Sequence, residues 1–182
     1  MTHGRVACPA RARGHQSTVR HVDRGGAFRA AYTRRVPMTI RPASQEDVPA
    51  LLTLYRELHP DDPSPSAVAA IEAWQAIEAQ AGRTILVAEC TGAVVGTIDC
   101  VILPNLTRGA RPFVLVENVV VTADQRRAGV GAALLEAVVA AARQAGCYKV
   151  QLLSRASRQD AHAFYEAYGF RAVAQGYRLY LD

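Results

Sequence analysis

Residues 116–146 read VENVVVTADQRRAGVGAALLEAVVAAARQAG. A β-branched run gives way to a polar turn with two arginines and two closely spaced glycines, and a long alanine-rich helical pattern follows. A strand ending at Thr122, a short turn and a helix opening around Gly131 leave several adjacent backbone N–H groups without an intrahelical acceptor. Those donors and the positive end of the helix dipole suit a phosphate or pyrophosphate. Gly129 permits a tight turn or close ligand approach, and Gly131 leaves room at the helix start. Arg126 and Arg127 can screen phosphate charge, or one of them simply faces solvent. Taken alone, a strand–glycine–helix turn is more often packing than a binding site. Neither a dinucleotide GxGxxG nor a P-loop GxxxxGK[ST] is present.

Around this junction the pattern alternates between strands and helices. MTIRPA opens a sheet. SQEDVPALLTLYRELH has Ser44 at a helix start, Asp47 three positions on, and an apolar stripe of Val48, Leu51, Leu52 and Tyr55. PDDPSPS interrupts helicity, and AVAAIEAWQAIEAQ restores it through Val68, Ile71, Trp74 and Ile77. Trp74 reads as a core anchor, with a substrate-pocket wall as the competing role. TILVAEC and VVGTIDCVIL are antiparallel neighbours joined by a tight turn at Gly92. PNLTRGARP is a polar loop, FVLVENVVVT the next strand and YKVQLLS another, followed by the helical RQDAHAFYEAYG. Short strands are expected around FRAVAQ and YRLYLD. The fold class is α/β, one central sheet with helices on both sides.

The chain has 182 residues, half of them apolar, which fits one domain with a substantial core. Its apolar runs are broken before membrane-spanning length. Cys8, Cys90, Cys100 and Cys147 form no ligand pair, and reduced cysteines fit a cytoplasmic setting. The net charge of +5 is unevenly placed. Residues 1–38 hold eight arginines against Asp23, a net +7, whereas 39–182 hold thirteen basic against fifteen acidic residues, a net −2. Residues 1–37 are therefore expected to be a disordered basic extension or the product of a start placed too far upstream; a basic arm for nucleic acid is the alternative. The functional domain is expected at 38–182. Scattered histidines give no metal site.

Arg126-Arg127-Ala128-Gly129-Val130-Gly131-Ala132 resembles the R/Q-x-x-G-x-G/A signature of the GCN5-related N-acetyltransferases, with ENVVV before it and AHAFYEAYGF after the next strand in the family order. ENVVV, GCYKVQLL and FYEAYGF together are similar to the glucosamine-phosphate N-acetyltransferase branch. The resemblance covers roughly residues 38–182. It implies a mixed central sheet flanked by helices and acetyl-CoA as acetyl donor, without a metal. Residues 126–132 would cradle its pyrophosphate, and the backbone of Val119 and Val121 would meet the pantetheine arm, the Val119 N–H facing the thioester oxygen. It further implies Tyr165 as general acid for the leaving thiolate. Arg158 stands where the commoner N-x-x-A-x-x-x-Y arrangement has Asn, with Ala161 and Tyr165 following.

Direct transfer to an amine needs a base, and Glu117, in the strand beside the thioester, is the candidate; a supporting structural carboxylate is the other reading. Tyr168 and His162 are nearby alternatives with packing and hydrogen-bonding roles. Arg108 and Arg111 are weaker candidates for an anionic group on the acceptor, beside Trp74. The implied partner is a small primary amine, an amino sugar or amino-sugar phosphate foremost. A protein amine and a non-catalytic acyl-CoA-binding module are the alternatives, and no membrane partner is indicated. The sequence does not assign an oligomeric state.

Overall fold

In a computed structural model, residues 38–181 are described; the basic segment 1–37, and the expectation attached to it, lie outside them. β1 (Met38–Pro42) pairs antiparallel with β2 (Arg83–Cys90), and β2 with β3 (Ala93–Leu103) across the Gly92 turn. β3 pairs antiparallel with β4 (Phe113–Val121), and β4 pairs parallel with β5 (Val150–Leu152). The result is a mixed five-stranded sheet in chain order.

Alternation along the strands sends side chains to two different cores. Ile85 and Val87 of β2 meet Val48 and Leu51 of α1 (Val48–Leu58) and Ala70 and Trp74 of α2 (Ala67–Ala79). On the opposite face, Ala88, Ile98, Cys100, Val114 and Val116 meet α4 (Val130–Gln144) and α5 (Gln159–Tyr168). α4 contributes Leu134, Leu135 and Val138, all at most 1% exposed. The helices thus cover both faces, as the sequence pattern implies.

Three expectations need correction. The α2 stripe is Ala70, Trp74 and Ile77, and Val68 is 68% exposed. A strict three-residue spacing falls about 60° short of a full turn at each step, so a stripe drawn from 68 through 77 walks off the buried face. Trp74 is itself buried, as a core anchor. Within the loop PNLTRGARP lies a one-turn α3 (Thr107–Ala110), whose Arg108 and Gly109 take left-handed backbone angles. Finally, FRAVAQ forms no strand, and neither do residues 177–181, the described part of YRLYLD. β5 offers only three paired residues on β4 and makes a short edge for a further ladder. The tail passes close to Leu153 at Gly176 and leaves Val173, Tyr177 and Leu179 exposed.

The sheet is tied to α1 by charge. Arg41 of β1 donates to both oxygens of Asp47, at 2.7 and 2.9 Å, and the same carboxylate accepts the Ser44 N–H at 2.8 Å. The reciprocal half of the capping pattern expected from Ser44 and Asp47 is therefore present. The Arg41 hydrogen bonds pull the Asp47 carboxyl down to about 2. A depressed carboxyl stabilises the fold fully above its unfolded value, and that contribution is lost as pH falls from about 4 towards 2. Asp47→Asn is expected to cost roughly 1–3 kcal/mol at neutral pH, the usual worth of charged hydrogen bonds. Urea denaturation should show this gap between wild type and variant closing at low pH.

Candidate active site

The site begins with an irregularity in β4. Thr97 pairs with Val120 and Asp99 with Glu117, so Ile98 alone opposes Asn118 and Val119. This is a β-bulge, and Asn118 takes φ +52° at it. Asn tolerates that left-handed conformation, whereas the β-branched Val119 beside it does not. The extra residue shifts the alternation. Val114 and Val116 before the bulge and Val119 and Val121 after it all pack into the α4-side core.

β5 pairs only with Val114–Val116. Beyond Val116 the two parallel strands part, and a cavity of about 70 Å³ opens between them. It is lined by Glu117, Asn118 and Val119 from β4, Leu152 to Arg155 following β5, and Tyr165 and Arg158 from α5 and its start. The cavity thus brings together the two residues expected to carry acid and base, and Val119 of β4 lines it beside them.

Tyr165 is held by tilted ring packing, 5.2 Å from Phe164 and 5.8 Å from Phe170 between centroids. It is 9% exposed, and burial raises its phenol above the ordinary value. Arg158 acts in the opposite direction, its positive charge favouring the phenolate, and Glu117 adds to the rise. The group is thus a protonated donor at neutral pH with a cation beside it. Across the strand pair from Glu117 lies the buried Asp99. Arg83 binds both Asp99 oxygens, at 3.1 and 2.6 Å, which offsets repulsion between the neighbouring carboxylates.

At the C-terminal end of β4 the chain turns into α4. Arg127 and Gly129 have φ of +63° and +88°. The Ala133 N–H bonds the Gly129 carbonyl at 3.0 Å, so the N–H groups of Val130, Gly131 and Ala132 precede the helical ladder. Among the described residues beyond its chain neighbours, no atom lies within 4 Å of where a Cβ on Gly129 would stand, so this face is open to a ligand. Gly131 has a different function. A Cβ there would lie 3.1 Å from Phe164 Cζ, so its missing side chain lets α4 and α5 close together. Arg126 folds back, donating to Val121 O at 3.0 Å and reaching Glu57 at 3.5 Å. Ala128 completes the turn and is exposed.

The structure does not bring the three weaker acceptor candidates to the cavity. Arg111 donates to the carbonyls of Gly146 and Cys147, both at 3.1 Å, and Arg108 lies over the Tyr148 ring. Both belong to the end of the sheet where β4 and β5 begin, and Trp74 is in the α1–α2 core. The cavity instead recruits His59, Arg155 and Arg178. The two arginines are far apart in the sequence, Arg155 in the loop after β5 and Arg178 in the tail, and their proximity depends on how the chain folds back. Among the described residues, no group of three or more His, Cys, Asp or Glu side chains is placed to hold a metal.

A family model described as the Acetyltransferase (GNAT) family matches residues 48–170. The chain is 42% identical over 89 residues to a glucosamine 6-phosphate N-acetyltransferase of Trypanosoma brucei brucei, an alignment covering 49% of this chain and 58% of that protein. It is 32% identical over 134 residues to an aminoglycoside N(6')-acetyltransferase type 1 of Stenotrophomonas maltophilia, covering 72% of this chain and 85% of the relative. Among solved structures, a Trypanosoma brucei acetyltransferase matches with TM-score 0.70 at 33% identity, over 80% of this chain and 100% of that one.

Replacing Gly129 tests whether the turn needs its left-handed backbone rather than space. Gly129→Ala is expected to lower stability by about 1–2 kcal/mol through backbone strain alone. Gly129→Asn should recover part of that loss, because Asn accepts this conformation more readily. Chemical denaturation of the two variants beside wild type measures both differences.

Proposed function

The chain belongs to the acetyltransferase (GNAT) family, and from that premise we propose that it transfers acetyl from acetyl-CoA to a small primary amine, an amino sugar foremost. The observation that carries the reading is the fork between β4 and β5, where one cavity is lined by Glu117, Val119 and Tyr165. The names of the two relatives, one acting on glucosamine 6-phosphate and one an aminoglycoside N(6')-acetyltransferase, support an amino-sugar acceptor.

The residues present fit acetyl-CoA. The open side of Gly129 and the N–H groups of Val130, Gly131 and Ala132 offer a pyrophosphate cradle. Arg127, exposed in the same turn, supplies countercharge, while Arg126 braces the turn against Val121. Strand separation after Val116 frees one edge of β4 for the pantetheine amides, at Val119 and Val121. Acetyl-CoA brings an activated thioester to this fork.

Glu117 draws the cationic amine inward and accepts its proton, directly or through water. The Val119 N–H donates to the carbonyl oxygen as negative charge grows there. Tyr165 gives its phenolic proton to the departing sulfur, and Arg158 stabilises the phenolate left behind. No covalent enzyme intermediate is needed, and Cys90, Cys100 and Cys147 are free and do not line the cavity. We place the whole activity within 38–182 and the protein in the cytoplasm. Among the described residues no helix is long and apolar enough to cross a membrane.

The decisive experiment is a mass-spectrometric transfer assay with acetyl-CoA against amino sugars, aminoglycosides, amino-acid derivatives and lysine peptides. Acetylated amino sugars are the expected product. Products confined to peptides would establish a protein-amine acetyltransferase instead, and acetyl-CoA binding without any product would leave a binding module. Protein begun at Met38 is expected to retain both binding and transfer.

Tyr165→Phe is expected to slow single-turnover transfer by roughly 10²–10⁴-fold, the range of general acid catalysis. Acetyl-CoA affinity, measured by calorimetry, should change little by comparison. Burial raises the phenol above its ordinary value, so Tyr165 stays a proton donor across the neutral range. Rate profiles of wild type should therefore show no loss across the neutral range that Tyr165→Phe abolishes.

A further inference from the structure

The cavity at the fork measures about 70 Å³. That is well short of the roughly 300–1,000 Å³ of a site that encloses a small molecule. A space of this size takes a few waters and not a sugar ring, so a wall must part before an acceptor reaches Glu117. Two sides of the lining have a fixed backbone. On one, Leu58 and His59 end α1, and the His59 N–H bonds the Tyr55 carbonyl at 2.8 Å. α1 is in turn anchored through Leu51 to Ile85 and Val87 of β2. On the other, Ser154 and Arg155 follow β5, and the Arg155 carbonyl accepts from His162 Nε2 of α5 at 3.0 Å. A side-chain contact joins the two sides, with Arg155 Nη2 3.1 Å from His59 Nδ1. A guanidinium has no acceptor, so Nδ1 accepts and the imidazole proton sits on Nε2. Among the described residues the ion pairs involve Arg41, Arg83 and Arg126, so no carboxylate holds Arg155 in place.

The position of this contact relative to the sheet gives it a role. Val116 packs into the α4-side core, so its neighbour Glu117 faces the α1 side. The pyrophosphate cradle belongs to α4, on the opposite face. The end of α1 therefore stands on the side from which an amine approaches Glu117. An exposed contact of this kind shifts an equilibrium by a factor of roughly two to five, so it opens readily, whereas the buried anchors on either side stay in place. We infer that His59 and Arg155 form a gate on the acceptor side of the cavity, and that their contact limits the size of the acceptor admitted. This rests on the acetyltransferase reading above and adds to it the pair that sets acceptor size. Neither residue touches a reacting atom in this role; they act by opening and by closing again behind the amine, which keeps water from the thioester.

The test compares two acceptors of equal charge and unequal size. kcat/KM is measured for glucosamine and for lactosamine, which carries the same single amine and one further neutral ring. The proteins are wild type, His59→Ala, Arg155→Ala, the double variant and His59→Asn, and calorimetry gives the acetyl-CoA affinity of each. Either alanine variant is expected to raise the ratio of lactosamine to glucosamine roughly two- to fivefold. The double variant should go no further than either single one, because the contact is already lost. His59→Asn, whose side-chain oxygen accepts the same N–H, is expected to return the ratio to the wild-type value. Acetyl-CoA affinity should change little throughout. An unchanged ratio in both alanine variants, or effects that add in the double variant, would overturn the inference and leave the acetyltransferase reading intact. So would an effect confined to acetyl-CoA affinity, which would assign the pair to the cosubstrate. Absence of transfer from wild type to every amine would instead bring down the acetyltransferase reading, and the gate with it.

Discussion

The bulge at Asn118 is the constraint on which the site depends. A regular β4 would continue its alternation, turning Val119 and Val121 away from the core that Val114 and Val116 occupy. The inserted residue restores them to that core, and Glu117 is left beside the gap opening towards β5. The packing of α4 and the opening of the cavity therefore share one cause. An apolar face that must remain buried along the whole strand fixes where the irregularity falls, and the position is one where the residue tolerates a positive φ.

Much of this was legible before folding. The strand–turn–helix junction was marked by β-branched residues, glycines and alanine-rich periodicity, and each of those is a local signal. The capping relation of Ser44 and Asp47 was legible for the same reason, although Arg41 as the main partner of Asp47 was not, since that contact depends on the strand folding beside the helix. Glu117 and Tyr165 could be named from the sequence order, and they line the same cavity. The tail segments FRAVAQ and YRLYLD read locally as strands, and the fold gives them no ladder. A strand also needs a partner, and β5 has only three residues on the ladder.

Arginines illustrate the limit more sharply. Arg108 and Arg111 lie in a loop of the kind that often recognises ligands, yet one stacks over Tyr148 and the other closes the loop through two carbonyls. Arg155 and Arg178, without distinguishing local context, reach the cavity from a short loop and from the chain's last residues. Charge in a sequence says how much is present, and topology decides where its unpaired portion accumulates.

Gly131 gives the fold an unusual dependence between distant parts of the sequence. Its absent side chain lets the first turn of α4 rest on the ring of Phe164, the immediate neighbour of Tyr165. Added bulk at that one position pushes on the helix that aims the phenol, although the glycine meets no reacting atom. In a saturation mutagenesis survey, position 131 would score like a chemical residue, and the scores at 131 and 164 would depart from additivity. A smaller ring at 164 would restore tolerance at 131, so the two positions form a compensating pair within one mechanical hinge point.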